Sequence, residues 1–429
     1  MNAIIHRGTC EIGGTLIELE SGKSRLLLDA GYPLFLNGQP ICQKISKYPP
    51  SKLLELGVLP AIRGLYKWDA PALDGIIISH AHLDHYGLLK YVHPGIPVYL
   101  SSGTQALIKI SQLFKISDTY PINARIFAMY KPFSVGKFTV KPYLMDHSAF
   151  DAAAFEISYS DKTVIYSGDF RGHGRKAVCL DRFIRGAAKE ADVLFAEGSM
   201  ASRRDELTLT EEELENVIIA KIKDQPGIAL VQLSGQNIDR IVSFYRAALR
   251  LGKLFVVDIY TANVLHELNI LSKNIPCPSY DKMKVFYPYR MTKMIFDEIG
   301  EEYARRFSAF RISRESVSAH QKQIVMLAKP SMGHDLARCK LTEGLFIYSM
   351  WQGYRSSDYQ QSFEGWLQEK GFKDTYLHTS GHATVSDIRR LISGLQPKKI
   401  VPVHTMWPGA FLDYSDRVEL YHDGMQFEV

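Results

Sequence analysis

The stretch Ser79-His80-Ala81-His82-Leu83-Asp84-His85 decides how the rest of the chain is read. It follows Gly75-Ile76-Ile77-Ile78, an apolar run that reads as a buried strand. It precedes Tyr86-Gly87-Leu88-Leu89-Lys90-Tyr91-Val92, which reads as a short helix. The cluster therefore lies on a turn where a strand ends and a helix begins. Three imidazoles and a carboxylate within six positions are ligand types that suit zinc or manganese. On one tight turn, alternate side chains point at two places. His80 and His82 can serve one metal, and Asp84 and His85 a second. A lone histidine is more often a satisfied surface or core residue; four ligand-type residues packed this closely are not explained that way.

The chain has 429 residues, 46% hydrophobic and 23% charged. That is long enough for two or three domains with sizeable cores, and too apolar for disorder. A formal net charge of +5 permits a polyanionic substrate without demanding one. The five cysteines, Cys10, Cys42, Cys179, Cys277 and Cys339, form no CxxC pair. This argues for a reducing compartment and against a cysteine-held structural zinc. The start, Met1-Asn2-Ala3-Ile4-Ile5-His6-Arg7-Gly8, lacks the apolar core of a signal peptide. No run approaches bilayer-spanning length. The expectation is a cytoplasmic protein without membrane contact.

Further candidates lie on both sides of the cluster. Arg25-Leu26-Leu27-Leu28 reads as a strand that ends in Asp29-Ala30-Gly31. Strands over 138–144 and 154–160 flank Met145-Asp146-His147-Ser148, and a strand over 162–167 leads into Gly168-Asp169. The strand 192–199 carries Glu197. From about residue 200 the texture changes. Strands at 229–233, 254–258, 324–327 and 345–348 alternate with helices at 207–223, 237–251 and 262–272, which predicts a parallel sheet covered by helices. The tail offers a strand over 374–378, then Thr379-Ser380-Gly381-His382-Ala383, a helix over 385–395, and Lys399-Ile400-Val401-Pro402-Val403-His404. The tail is read as returning to the first domain.

The HxHxDH turn after a strand resembles the signature of the metallo-β-lactamase superfamily. The layout as a whole is similar to its β-CASP family. The resemblance implies an α/β fold: an αββα metallo-β-lactamase sandwich with an inserted β-CASP domain, a parallel sheet flanked by helices. The expected boundaries are 1–199 and 366–429 for the sandwich and 200–365 for the insert. Carried over, the family's ligands are His80, His82 and His147 for one zinc, and Asp84, His85 and His404 for the other, with Asp169 bridging. Asp29 would support the metal loop from behind. Glu197 and His382 would be the family's acid and its first tail histidine, with His382 as general acid and Asp84 catalytic. Ser234, in Ser234-Gly235-Gln236-Asn237-Ile238-Asp239-Arg240, resembles a family phosphate-binding region, and Ser380 is a second candidate contact. A histidine at 404 is similar to RNA-processing members rather than DNA-cutting ones.

The implied function is a metal-dependent ribonuclease acting on single-stranded RNA. Two Zn²⁺ ions, or Mn²⁺, would hold a bridging hydroxide for in-line attack and bind the scissile phosphate. A DNA nuclease of the same fold, a small-molecule hydrolase of the thioester or lactam type and a non-catalytic RNA-binding scaffold are the alternatives. His404 speaks against the first, the large insert and the tail motifs against the second, and the filled ligand set against the third. Ribonuclease J carries a further C-terminal domain that helps it assemble, so any homodimer here would use another surface. Arg171, His173, Arg175, Lys176, Arg203 and Arg204 are expected on solvated basic loops. Trp351, Tyr354 and Tyr359, near Arg355, are expected to pack in a core.

Overall fold

The computed structural model describes residues 1–36, 39–41, 45–203 and 208–429. Cys42, Arg204 and Leu207, the first residue of the expected helix 207–223, lie outside the described residues. The chain divides into two compact units. One comprises 1–172, 176–208 and 381–429; the other comprises 173–175 and 209–380.

The first unit holds two large sheets and a two-stranded one, Phe35–Leu36 with Gln39–Pro40. One has seven strands, in the order Gln426–Glu428, Asn2–Arg7, Leu16–Ser21, Ser24–Leu28, Gly75–Ile77, Val98–Leu100 and Ala124–Ile126. The other has six: Lys399–Val403, Val193–Glu197, Lys162–Tyr166, Ala153–Tyr159, Phe138–Leu144 and Phe133–Val135. Side chains alternate between the faces of a strand, and the sequence uses this to fill two cores. Val193 and Phe195 point, with Val164, Tyr166, Val401 and Val403, into a core shared with Ile5, Ile17, Leu28 and Ile77 of the other sheet. Their neighbours Leu194, Ala196, Ile165 and Ile400 point the other way. There they pack on Leu180 and Phe183 of the helix Val178–Gly186 and on Ile388, Leu391 and Ile392 of the helix Val385–Leu395. Two sheets face to face with helices outside are the αββα sandwich that was expected.

Pairing register fixes which strand ends meet. Lys162–Tyr166, Val193–Glu197 and Lys399–Val403 are parallel, with Tyr166 opposite Phe195 and Glu197 opposite Val403. Phe138–Leu144 is antiparallel to Ala153–Tyr159, which is antiparallel to Lys162–Tyr166. Phe138–Leu144, Lys162–Tyr166, Val193–Glu197 and Lys399–Val403 therefore run the same way and end on one side of the sheet; Glu197 is the last residue of its strand, and the loops beyond the other three carry His147, Asp169 and His404.

The second unit is a six-stranded, wholly parallel sheet in the order Met283–Phe286, Leu254–Asp258, Ile324–Leu327, Ile228–Gln232, Gly344–Tyr348 and Phe372–Tyr376. Its central strands are buried throughout and read as unbroken apolar runs, as a sheet covered on both faces requires. The last strand corrects one expectation. The segment assigned to the returning tail is Phe372–Tyr376, and it pairs with Gly344–Tyr348. Residues up to 380 thus cluster with the second unit, not the first. An edge strand with one buried residue, Phe372, carries no pattern that tells which sheet it extends.

The aromatic trio is also corrected: Trp351, Tyr354 and Tyr359 are 47%, 56% and 61% exposed. Trp351 lies on its own turn, where a Cβ at Gly353 would come within 2.2 Å of the indole.

Arg240 is fully buried in the second unit. It donates to Glu211 Oε1 (3.1 Å), Ser349 Oγ (2.5 Å) and the Thr379 carbonyl (3.0 Å). Truncating one member of such a pair leaves an uncompensated buried charge. Arg240→Met is therefore expected to cost about 3–5 kcal/mol and to accelerate hydrogen exchange across the helix Ile238–Arg250. Unchanged exchange there would refute this.

Candidate metal centre

The ligands expected from sequence meet within the first unit. His82 precedes the short helix Leu83–Tyr86, which holds Asp84 and His85 one turn beyond the strand Gly75–Ile77. His80, His85 and His147 are fully buried, and His404 and Asp169 nearly so. Asp84 and His82 are partly open. His80, His82 and His147 form one cluster and Asp84, His85 and His404 another, the ligand atoms within each lying within 4.8 Å of one another.

Asp169 stands between the two clusters. Its Oδ2 is 3.2 Å from His85 Nε2, 3.6 Å from His404 Nε2, 3.7 Å from His80 Nε2 and 4.0 Å from His147 Nε2. The same oxygen is 3.6 Å from His382 Nδ1.

The far side of each ring is occupied, and this sets the tautomers. His147 Nδ1 lies 2.6 Å from the Gly381 carbonyl, and His85 Nδ1 2.8 Å from Asp29 Oδ2. Both oxygens can only accept, so each Nδ1 carries a proton, and in the neutral ring Nε2 is the nitrogen with the lone pair. Ser79 Oγ donates to Asp29 Oδ2 at 2.8 Å and so accepts from His80 Nδ1 at 3.0 Å. Thr15 Oγ1 takes His404 Nδ1 at 2.9 Å.

The lone pairs converge. His80 Nε2 is 3.0 Å and His147 Nε2 3.3 Å from His82 Nδ1. His82 can donate one proton to one of them; a cation would serve all three. His85 Nε2, His404 Nε2 and both Asp169 oxygens are buried without a hydrogen bond. Buried polar atoms are seldom left so. The donor set fits divalent metal.

The electrostatics agree for four of the five rings; the exception is His85, which burial lowers but the carboxylates of Asp169, Asp29 and Asp84 raise well above the usual histidine range. Burial, and the proximity of the other rings, hold His80, His147 and His404 well below the usual histidine range. Burial also takes His82 down to about 4. These four rings are therefore in the neutral form a metal requires. Asp29 (φ 60°) and His404 (φ 53°) are non-glycine residues in the left-handed region, a strain that concentrates where side chains must be aimed.

Glu197 and His382 stand beside this centre. Glu197 is buried; its Oε1 accepts from the N–H groups of Phe170 (3.1 Å) and Ala383 (3.2 Å), and its Oε2 from Ser199 (3.1 Å). His382 Nδ1 lies 3.4 Å from Glu197 Oε1 and 3.2 Å from Ser199 Oγ. Burial pulls the His382 pKa down, but the Glu197 and Asp169 carboxylates outweigh it and raise it to about 9.

Ser234 and Ser380 belong to the second unit. Ser234 is exposed, and its hydroxyl accepts from the Gln236 N–H at 3.3 Å. The helix cap beside it is Asn237. The Ser380 carbonyl lies 2.9 Å from His173 Nε2.

The solvated-loop expectation for 171–176 is overturned. Arg171 is fully buried against Asp146, His173 is buried, and Arg175 pairs with Glu215 at 2.6 Å. Arg203 is exposed. The sequence reading missed Thr15, Ser79, Tyr166 and Ser199 as partners of the site. Ser79 opens the quoted turn and Tyr166 lies in the strand that leads to Asp169, but nothing local marks Thr15, 389 positions from His404. Among the described residues no helix is long and apolar enough to cross a membrane.

Comparison with known proteins follows the same lines. Residues 56–218 match the β-lactamase superfamily domain model, and residues 373–412 match a Zn-dependent metallo-hydrolase RNA specificity domain. Ribonuclease J of Helicobacter pylori is 21% identical over 413 residues, covering 92% of this chain and 55% of the relative. Ribonuclease J of Mycoplasma genitalium is 21% identical over 411 residues, covering 92% and 66%. An RNase J-like protein of Methanocaldococcus jannaschii is 26% identical over 275 residues, covering 60% and 57%. The chain thus spans little more than half the length of the Helicobacter relative. A solved protein of unknown function from Enterococcus faecalis V583 superimposes with a TM-score of 0.77 at 20% identity, covering 99% of both chains. With both domain models and its ribonuclease J relatives along most of its length, the chain is similar to the β-CASP, ribonuclease J-like family of metallo-β-lactamase-fold proteins.

Proposed function

We propose that this protein is a metal-dependent ribonuclease that hydrolyses phosphodiester bonds of single-stranded RNA at a dinuclear zinc site, with manganese as the substitute. The observation that carries this is the placement of Asp169 Oδ2, within 4.0 Å of a nitrogen from each of His80, His85, His147 and His404. One carboxylate facing ligands from both clusters is the arrangement a pair of ions needs. The RNA part rests on the relatives' ribonuclease names and on the RNA specificity domain match over 373–412.

His80, His82 and His147 would hold one ion, Asp84, His85 and His404 the other, and Asp169 both. When bound, such a pair supplies a water activated at neutral pH and positive charge facing the phosphate. The chain's own residues do the rest. Asp29 and Thr15 keep His85 and His404 turned inward. His382, raised to about 9, is protonated at neutral pH and gives its proton from Nε2 to the departing 3′-oxygen. Glu197 and Ser199 hold Nδ1 of that ring. Ser234 and Ser380 would contact backbone phosphates. A cysteine set without a CxxC pair fits a cytoplasmic enzyme.

Two predictions test this. The protein purified without chelator is expected to carry about two equivalents of zinc or manganese by elemental analysis. Asp169→Ala should carry less than one, and Asp29→Ala should bind about 10–100-fold more weakly. Full occupancy in Asp169→Ala would rule out the bridging role.

End-labelled RNA and DNA oligonucleotides, with 5′-phosphate, 5′-hydroxyl and circular forms, address the reaction. RNA loss that depends on metal and vanishes in Asp84→Ala/His85→Ala is the expected result. His382→Ala should lower kcat by about 10²–10⁴-fold with metal content intact, the size of a lost general acid. Turnover of neither nucleic acid with zinc or manganese supplied would defeat the reading.

A further inference from the structure

We propose that Asp146 and Arg171 are positioning residues of the metal centre, fixing the loop that carries His147 against the loop that carries Asp169. This rests on the metal-centre reading and extends it to two side chains that touch neither substrate nor ion.

Asp146 immediately precedes His147, and Arg171 follows Asp169 by two residues. Arg171 Nε donates to Asp146 Oδ1 at 3.2 Å, and both side chains are wholly buried. The Arg171 N–H donates to the Asp146 carbonyl at 2.7 Å. The other carboxylate oxygen, Oδ2, accepts from the Lys176 N–H at 3.0 Å. One aspartate thus grips the chain at 171 and again at 176.

The segment between Asp169 and this grip is held just as firmly. The N–H of Phe170 goes to Glu197 Oε1 at 3.1 Å, and that of Gly172 to Asp387 Oδ2 at 2.9 Å. A Cβ at Gly172 would lie 2.0 Å from Asp387 Oδ1, so the backbone there must be glycine to come so close. Three successive N–H groups after Asp169 therefore end on three different elements.

A buried ion pair is poor evidence of a stabilising role, since well-packed apolar residues of similar volume often serve as well. What a guanidinium–carboxylate pair provides is direction. Ligand constellations need placement to within about 0.5 Å, and that is achieved by locking the residues behind the ligands. Here the lock joins two ligand loops that share no strand pairing, because Phe138–Leu144 and Lys162–Tyr166 lie on either side of Ala153–Tyr159.

The test compares zinc affinity of the full chain, by competition with a chelating dye, for wild type, Asp146→Asn, Arg171→Met, Arg171→Lys and Glu18→Gln. The melting temperature of each chelator-treated protein is measured alongside. Glu18 is the control: its buried carboxylate pairs with Arg25 at 2.6 Å and His6 at 2.8 Å in the same unit, away from the ligands. Asp146→Asn and Arg171→Met are expected to lose zinc affinity about 10–100-fold, with Arg171→Lys between them and wild type. Glu18→Gln is expected to melt lower with affinity unchanged. Wild-type affinity in the Asp146 and Arg171 variants, or a loss matched by Glu18→Gln at equal loss of melting temperature, overturns the proposal. Should the first two variants not fold, Arg171→Lys, which keeps the charge, decides alone. A wild type that holds no zinc or manganese defeats the metal reading itself, which is a separate outcome.

Discussion

The Asp29 carboxylate is the interaction on which the centre depends. Its Oδ1 accepts from the Ser79 N–H at 2.7 Å. Its Oδ2 accepts from Ser79 Oγ at 2.8 Å, from Tyr166 OH at 2.6 Å and from His85 Nδ1 at 2.8 Å. Ser79 begins the histidine turn, His85 ends it, and Tyr166 comes from the opposite sheet. One side chain thus joins both halves of the sandwich to the ligand turn. To do so Asp29 adopts a left-handed backbone, tied by its own N–H to the Ile77 carbonyl at 2.8 Å. The cost is strain, which the surrounding strands must bear.

That constraint explains why the centre is assembled on strand ends. Several imidazoles and carboxylates brought together out of water repel or go unsatisfied, and each buried polar group without a partner is costly. Only a scaffold stabilised elsewhere can hold them. The apolar core between the sheets, with Ile5, Ile17, Phe155, Val164, Phe195 and Val401, supplies this. The rigid strands then deliver ligands from distant parts of the sequence to one edge. A cation completing the set converts repulsion among lone pairs into coordination, so metal binding and local stability are linked.

Much of this is legible in the sequence because it is local. The turn 79–85, the strand leading to Asp169 and the strand ending before His404 each announce themselves within a few residues. The apolar spacing over 385–395 does the same for the core behind that helix. What was not legible depends on distance along the chain. Thr15 and His404 meet only because their strands belong to one fold. Arg171 looks like a solvated arginine until Asp146, 25 positions earlier, closes on it. The strand Phe372–Tyr376 exposes most of its residues, so its sequence carries no record of which sheet it joins.

Chain connectivity adds one more argument. The chain leaves the first unit after 208 and re-enters it at 381. The re-entry point is itself part of the centre. Gly381 supplies the carbonyl that orients His147, and a Cβ on it would come 2.9 Å from Ser148 Oγ. The next residue is His382. The departure follows closely on Glu197 and Ser199, the partners of the His382 ring. The inserted unit is therefore spliced into the two segments that set the proton on His382 and the tautomer of His147.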